Sequence, residues 1–328
     1  VQRRELILLA AGAALASPLS AFAQNASKFY RVGLLTVADM ATFGEKSPSR
    51  LALTHGLAQN GFSVDRNLGF EARGAEGQND QLPRLLAELV ARVDVVVTRG
   101  YPPTLAAKQN TTLPVVCYDA GDPVGTGLVS SLAHPGGTLT GVSDVSAEMT
   151  PKRLELLKLF APDLRRVAIL WDADNLGMTL RYRAAETGAQ ALGIDVQPLG
   201  VREPADYDRA FEAMTRDVPD AILMVTDYLT ILNRKPVLEF AAAHRLPAIF
   251  ESPSVVRDGG LMSYGPDEGE VLDRVAALVA RVLKGATPAE LPFERPTKFE
   301  LAINLKAAKA LGRDVPQLLL AQADEVIE

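Results

Sequence analysis

Several acids in this sequence stand just beyond short apolar runs, the position from which a strand tip presents chemistry to a ligand. Asp39 lies in the loop after the run 30–36. Asp119 and Asp122 follow 114–118, Asp172 and Asn175 follow 166–171, and Asp227 and Tyr228 follow 221–226. Glu251 follows 247–250 in the same way. Between them, the run 93–98 leads into Arg99-Gly100-Tyr101-Pro102-Pro103-Thr104. There Gly100 permits a tight turn, the prolines start a helix, and Thr104 offers a hydroxyl near exposed amides. A zwitterion needs these types of group: a carboxylate for its ammonium, with a guanidinium and free helix N–H groups for its carboxylate. Arg99 would pair with the carboxylate, Tyr101 would stack on a ring, and Asp227 and Glu251 are the preferred ammonium partners. For any single acid the competing role is helix capping or simple solvation. For Asp119 and Asp122 capping is the commoner of the two roles, and Arg99 and Tyr101 could equally point to solvent. The stretch Asp119-Ala120-Gly121-Asp122-Pro123-Val124-Gly125 lacks the Gly-Lys-Ser/Thr ending of a phosphate loop, and its acids repel phosphate.

Catalytic chemistry finds little support. The three histidines, His55, His134 and His244, show no His-Glu-x-x-His metal spacing, and no Gly-x-Ser-x-Gly elbow occurs. Cys117 falls inside a predicted strand rather than at an exposed tip. No catalytic residue, metal ligand or cofactor is expected. Cys117 is the only cysteine in 328 residues, so no intramolecular disulfide forms, and a net charge of −6 argues against a nucleic-acid partner.

The elements that would carry these loops alternate. Strands are predicted over 30–36, 67–73, 93–98 and 114–118, with helices over 49–60, 80–91 and from Pro102 onward. The uninterrupted Val93-Asp94-Val95-Val96-Val97-Thr98 suits a parallel strand covered on both faces. The rhythm breaks near 138–145 and restarts at Thr150-Pro151, which fits an N-cap with proline at the first helical position. A second series has strands at 166–171, 195–201, 221–226 and 247–250, with helices at 177–192, 205–216 and 234–244. A helix at 268–285, a strand at 299–304 and a helix at 305–311 follow. This βαβ order predicts an α/β protein of two doubly wound parallel-sheet lobes with a cleft between them. Ligands of such sheets sit beyond the carboxyl ends of the strands. The first 23 residues, with Arg3-Arg4, an apolar stretch and Ala21-Phe22-Ala23, have the layout of a secretory signal peptide, and the paired arginines allow a twin-arginine route.

The chain also resembles the ABC-transporter substrate-binding protein family whose members include binders of aromatic amino acids. The resemblance rests on Gly121-Asp122-Pro123-Val124-Gly125, His134-Pro135-Gly136-Gly137-Thr138-Leu139-Thr140-Gly141, Lys152-Arg153-Leu154-Glu155-Leu156-Leu157-Lys158, Gly259-Gly260-Leu261-Met262-Ser263-Tyr264-Gly265 and Pro296-Thr297-Lys298-Phe299-Glu300-Leu301. It implies the type I periplasmic-binding-protein architecture with a three-crossover hinge. The lobes would be 29–142 plus about 266–292, and 143–265 plus about 293–328. It implies a protein that holds a small solute, such as an amino acid, for an ABC permease in the inner membrane; because Cys117 lies outside the export signal, a freely diffusing periplasmic monomer rather than a lipoprotein is expected. A ligand-sensing module signalling to a membrane receptor or kinase is the alternative that the same fold allows. Two departures stand out: relatives usually carry small residues where Arg99 and Tyr101 stand, and Tyr228 replaces an Asn common in binders of aromatic amino acids.

Overall fold

The computed structural model describes residues 28–40 and 44–328, so the expected export signal lies outside the described residues. The first half runs β1 (Tyr30–Thr36), α1 (Pro48–Gln59), β2 (Leu68–Gly74), α2 (Leu82–Val90), β3 (Val95–Arg99), α3 (Tyr101–Asn110), β4 (Val115–Tyr118) and β5 (Leu139–Val142). The chain then passes through α4 (Ser146–Phe160), β6 (Arg166–Asp172), α5 (Leu176–Ala191), β7 (Asp195–Val201), α6 (Asp206–Arg216), β8 (Ala221–Met224), α7 (Tyr228–Leu232) and α8 (Arg234–Ala243). It continues with β9 (Ala248–Phe250), α9 (Pro253–Arg257), β10 (Met262–Pro266), α10 (Glu268–Leu283), β11 (Phe299–Asn304), α11 (Leu305–Ala310), α12 (Gln317–Leu320) and β12 (Glu325–Ile327).

Two sheets result, ordered β2-β1-β3-β4-β5 and β12-β11-β10-β9-β8-β6-β7. Among the described strands all pairings are parallel except β10 with β11. The apolar runs explain the layering. Val95 and Val97 face one side of β3 and pack with Val32 and Leu34 against the α1 and α10 layer, through Leu53, Leu57, Val275 and Val279. Val96 faces the other side of β3 and packs with Leu35, Val115 and Cys117 against α2 and α3, through Leu86, Leu89 and Ala107. In the second sheet, Val167 and Ile169 of β6 face the layer of α4 and α5, whereas Ala168 and Leu170 face the layer of α6 and α8. An apolar residue at every position is what a strand covered on both faces requires.

The chain crosses between the sheets three times: from β5 into α4, from β10 into α10, and from α10 to β11. The crossings are tied to one another, since the Ser143 N–H donates to the Glu294 carbonyl (2.9 Å) and the Asp267 N–H to the Lys298 carbonyl (3.1 Å). In each sheet the strand order reverses beside the first strand of its half, between β1 and β3 and between β6 and β8. Ligand crevices form at such switch points.

The structure corrects two expectations. Residues 138–145 are not a simple break, because β5 occupies Leu139–Val142 and completes the first sheet. Thr150-Pro151 does not begin a helix either: Pro151 lies inside α4, which starts at Ser146. The start is set by Asp144, whose Oδ1 accepts the Ser146 N–H at 2.8 Å. Pro151 instead serves packing, as a Cβ at Gly188 of α5 would lie 3.2 Å from the Pro151 Cα.

Candidate functional site

The tips of the two sheets face each other at close range. A Cβ on Gly121, in the loop after β4, would lie 3.1 Å from the Gly177 Cα in the first turn of α5. Tyr101, at the start of α3, packs beside the same Gly177, and Tyr228 stands beside Gly77. The Tyr228 oxygen also accepts the Asp39 N–H across the cleft.

Deeper in the cleft is a buried ion cluster. Arg181 reaches from α5 to Asp144, to Glu251 (2.6 Å) and to Asp119 (3.4 Å), and its side chain is only 2% exposed. Arg153, from α4, binds Glu251 at 2.9 Å and donates to the Tyr264 carbonyl at 2.7 Å. Asp144 also accepts the Gly121 N–H (2.7 Å), and Glu251 accepts the Thr226 N–H (3.2 Å). Burial works against charge on Arg181, but Asp144, Glu251 and Asp119 outweigh it and hold the guanidinium above its ordinary pKa. Burial pulls Arg153 below its ordinary value, despite Glu251. Charges buried this deeply persist only when paired and hydrogen-bonded.

Next to this cluster lies a cavity of about 250 Å³, walled by Arg99, Tyr118, Asp119, Thr226 and Glu251 and backed by Asp144 and Asp267 of the first two crossings and by Glu300 near the start of β11. Arg99 is held loosely: its Nε is 3.4 Å from Asp119 and its Nη2 is 3.8 Å from Glu268. These distances exceed the range of about 2.7–2.9 Å typical of strong charge-assisted bonds. Its guanidinium carbon stands 5.8 Å from the Tyr118 ring centroid.

Of the residues singled out from the sequence, Arg99, Asp119 and Glu251 share this cavity. Asp39, Tyr101 and Tyr228 meet the opposite lobe without lining this cavity. Thr104 is fully buried, and its hydroxyl is 2.8 Å from that of Thr98 and donates to the Gly100 carbonyl. Asp122 is exposed and accepts the Val124 N–H (3.0 Å) in its own turn. Asn175 caps α5 through the Gly177 N–H (3.0 Å). Asp227, a preferred ammonium partner on sequence grounds, caps α7 in a reciprocal box with Thr230. Burial, reinforced by the adjacent and hydrogen-bonded Asp172, pushes the Asp227 carboxyl well above the usual carboxylate range. Burial also pushes the Cys117 thiol up to about 12, which leaves it a poor nucleophile.

Sequence reasoning missed Arg153, Arg181 and Asp144. A signal was present: Arg181 occupies the buried stripe Gly177, Met178, Arg181 and Ala185 of α5, and Arg153 stands in the buried stripe of α4. A charge at an inward helical position must find a buried partner.

Residues 47–327 match the family model described as ABC transporter substrate binding protein. The chain belongs to this family. As an ABC transporter substrate binding protein it is 23% identical over 257 residues to a tyrosine-binding protein of Clostridioides difficile (strain R20291), covering 78% of this chain and 74% of that one. It superposes on a conserved domain protein from Vibrio cholerae with a TM-score of 0.85 and 25% identity, covering 91% of this chain and all (100%) of the other. On the ABC domain from Streptococcus pneumonia in complex with L-Trp the TM-score is 0.82, again at 25% identity, covering 92% of this chain and 100% of that one. The two-lobed architecture is that of the type I periplasmic binding proteins. The family is one of solute-binding proteins rather than enzymes. Among the described residues, no helix is long and apolar enough to cross a membrane.

Proposed function

We propose that this protein is the periplasmic solute-binding component of an ABC importer, and that it captures an amino acid between its lobes without turning it over. The observation that carries this reading is the cavity at the facing strand tips, with loosely committed charges of both signs on its wall: Arg99 for a carboxylate and Asp119 for an ammonium. The tyrosine-binding and L-Trp-bound relatives support the amino-acid class. The lobes that close on the solute are 29–142 plus about 266–292 and 143–265 plus about 293–328, hinged at the three crossings. The protein works as a monomer that diffuses to an inner-membrane ABC permease. Solute contacts that exist only when both lobes meet stabilise the closed form by the affinity difference between closed and open states.

The test is calorimetry of protein stripped of bound solute by unfolding and refolding, titrated with the common amino acids. One or more are expected to bind, and Asp119→Asn is expected to weaken that binding at least tenfold. A correctly refolded protein that binds no amino acid removes this reading.

A further inference from the structure

The walls of the cavity are unequally charged, and the excess identifies the solute's side chain. Six carboxylates and two guanidiniums line it. Two of the acids, Asp144 and Glu251, are answered from behind by Arg181 and Arg153. Because Arg181 already fills that acidic cage, a solute cation has no place there. Arg257 closes on Glu325 with two contacts, of 2.9 and 2.6 Å, so its charge is answered first by an acid outside the lining. On the reading above, Arg99 and Asp119 serve the two α-groups of an amino acid and cancel.

Three carboxylates then remain on the wall: Asp267 and Glu268 at the start of α10, and Glu300 on β11. Asp267 caps α10 through the Glu270 N–H (2.8 Å), and Glu268 accepts the Ser49 hydroxyl (2.7 Å). Both of these bonds come from neutral donors, and the one cation near Glu268 is Arg99 at 3.8 Å, already assigned to the solute's carboxylate. The α10 N-terminus offsets only about half a charge. Crowding of like charge is visible at Glu300, whose carboxyl is pushed up by burial and by Glu325 and Asp267, against the pull of Arg257. The apolar part of the lining comes from aliphatic groups such as Val142, Pro253, Pro266 and Val271, which suit a methylene stem, and the one aromatic wall, Tyr118, already faces Arg99.

We infer that the solute is an amino acid with a positively charged side chain, a guanidinium or an ammonium, directed at Asp267, Glu268 and Glu300. The inference rests on the proposed function and narrows it. A cavity of about 250 Å³ lies just below the range usual for drug-sized ligands and suits one such molecule.

The test compares pairs of equal shape and unequal charge by calorimetry on the refolded protein: arginine with citrulline, and lysine with norleucine. Tryptophan, tyrosine and glutamate complete the panel. The charged member of at least one pair is expected to bind about ten times or more tighter than its neutral isostere, with a ratio that shrinks as salt is raised. Glu268→Gln and Glu300→Gln, each checked for native melting, are expected to reduce that ratio several-fold. Neutral isosteres, tryptophan or tyrosine binding as well as the basic amino acids would overturn the inference and leave the substrate-binding reading standing. An unchanged ratio in both variants also overturns it. Failure of every amino acid to bind overturns both readings together.

Discussion

Replacing Arg181 by Met tests the energetics of the interlobe cluster. The substitution keeps an unbranched stem but removes the group that meets Asp144, Glu251 and Asp119. The first two acceptors are 8% and 6% exposed, so water does not replace the lost donors. Breaking a buried pair in this way costs about 3–5 kcal/mol. Arg153 still serves Glu251 at 2.9 Å, which places the expected loss near the lower end, about 3 kcal/mol. At about 2–4 °C per kcal/mol for a chain of this size, the melting temperature should fall by about 10 °C. Trp171, the single tryptophan, is a convenient reporter because it sits on β6 of the second sheet, stacked on Tyr182 of α5 at 3.8 Å. Urea unfolding followed by its fluorescence gives the free-energy difference. Arg181→Lys retains the charge but not the planar fork, and should recover only part of the loss. A cost below about 1 kcal/mol for Arg181→Met, the worth of an exposed ion pair, would refute the claim that the cluster is dry and anchors the lobes.

Three further outcomes are expected. Asp227 has a raised pKa in the fold, so the stability it contributes is full below the ordinary carboxylate range and is lost as pH rises through the folded value; Asp227→Asn keeps the cap, and its melting temperature should gain on wild type as pH rises above the ordinary carboxylate range, with parallel curves counting against the buried Asp172–Asp227 pair. Glu270 is the opposite case: although burial raises it, bonds from Thr297, Lys298 and Arg274 bring its carboxyl to about 2. Its stabilisation is present above the ordinary carboxylate range and lost as pH falls toward that value, so Glu270→Gln should flatten the acid side of the melting profile. Gly121 has a φ of +77° and approaches Gly177 closely, so Gly121→Ala should cost about 1 kcal/mol from backbone strain and weaken solute binding by holding the lobes apart. Small-angle scattering with and without solute reports that closure, and an unchanged affinity would show that the contact does not limit it.

Much of the fold is legible because short segments rich in apolar and β-branched residues alternate with longer amphipathic ones. The predicted strands 30–36, 195–201 and 299–304 coincide with β1, β7 and β11 to the residue, although each carries polar residues. The short strand β5 escapes such a reading because Gly136-Gly137 and Thr138 precede it, and its pairing with β4 is a tertiary event. Pro151 misleads for a related reason: proline marks a helix start by local preference, but Asp144 and the α4–α5 contact move that start five residues earlier, to Ser146.

The site divides along the same line. From sequence alone came the loops that carry Arg99, Asp119 and Glu251, since strand ends and the acids after them are local features. Only the tertiary structure decided which of those acids share a cavity and which, like Asp122 and Asp227, are engaged in caps. It also brought Arg153 and Arg181 from separate helices onto Asp144 and Glu251, 98 and 70 residues apart from Glu251 in the chain. Spacing along a sequence encodes which face a side chain takes, but the partner of a buried charge is chosen by how the sheets and crossings pack.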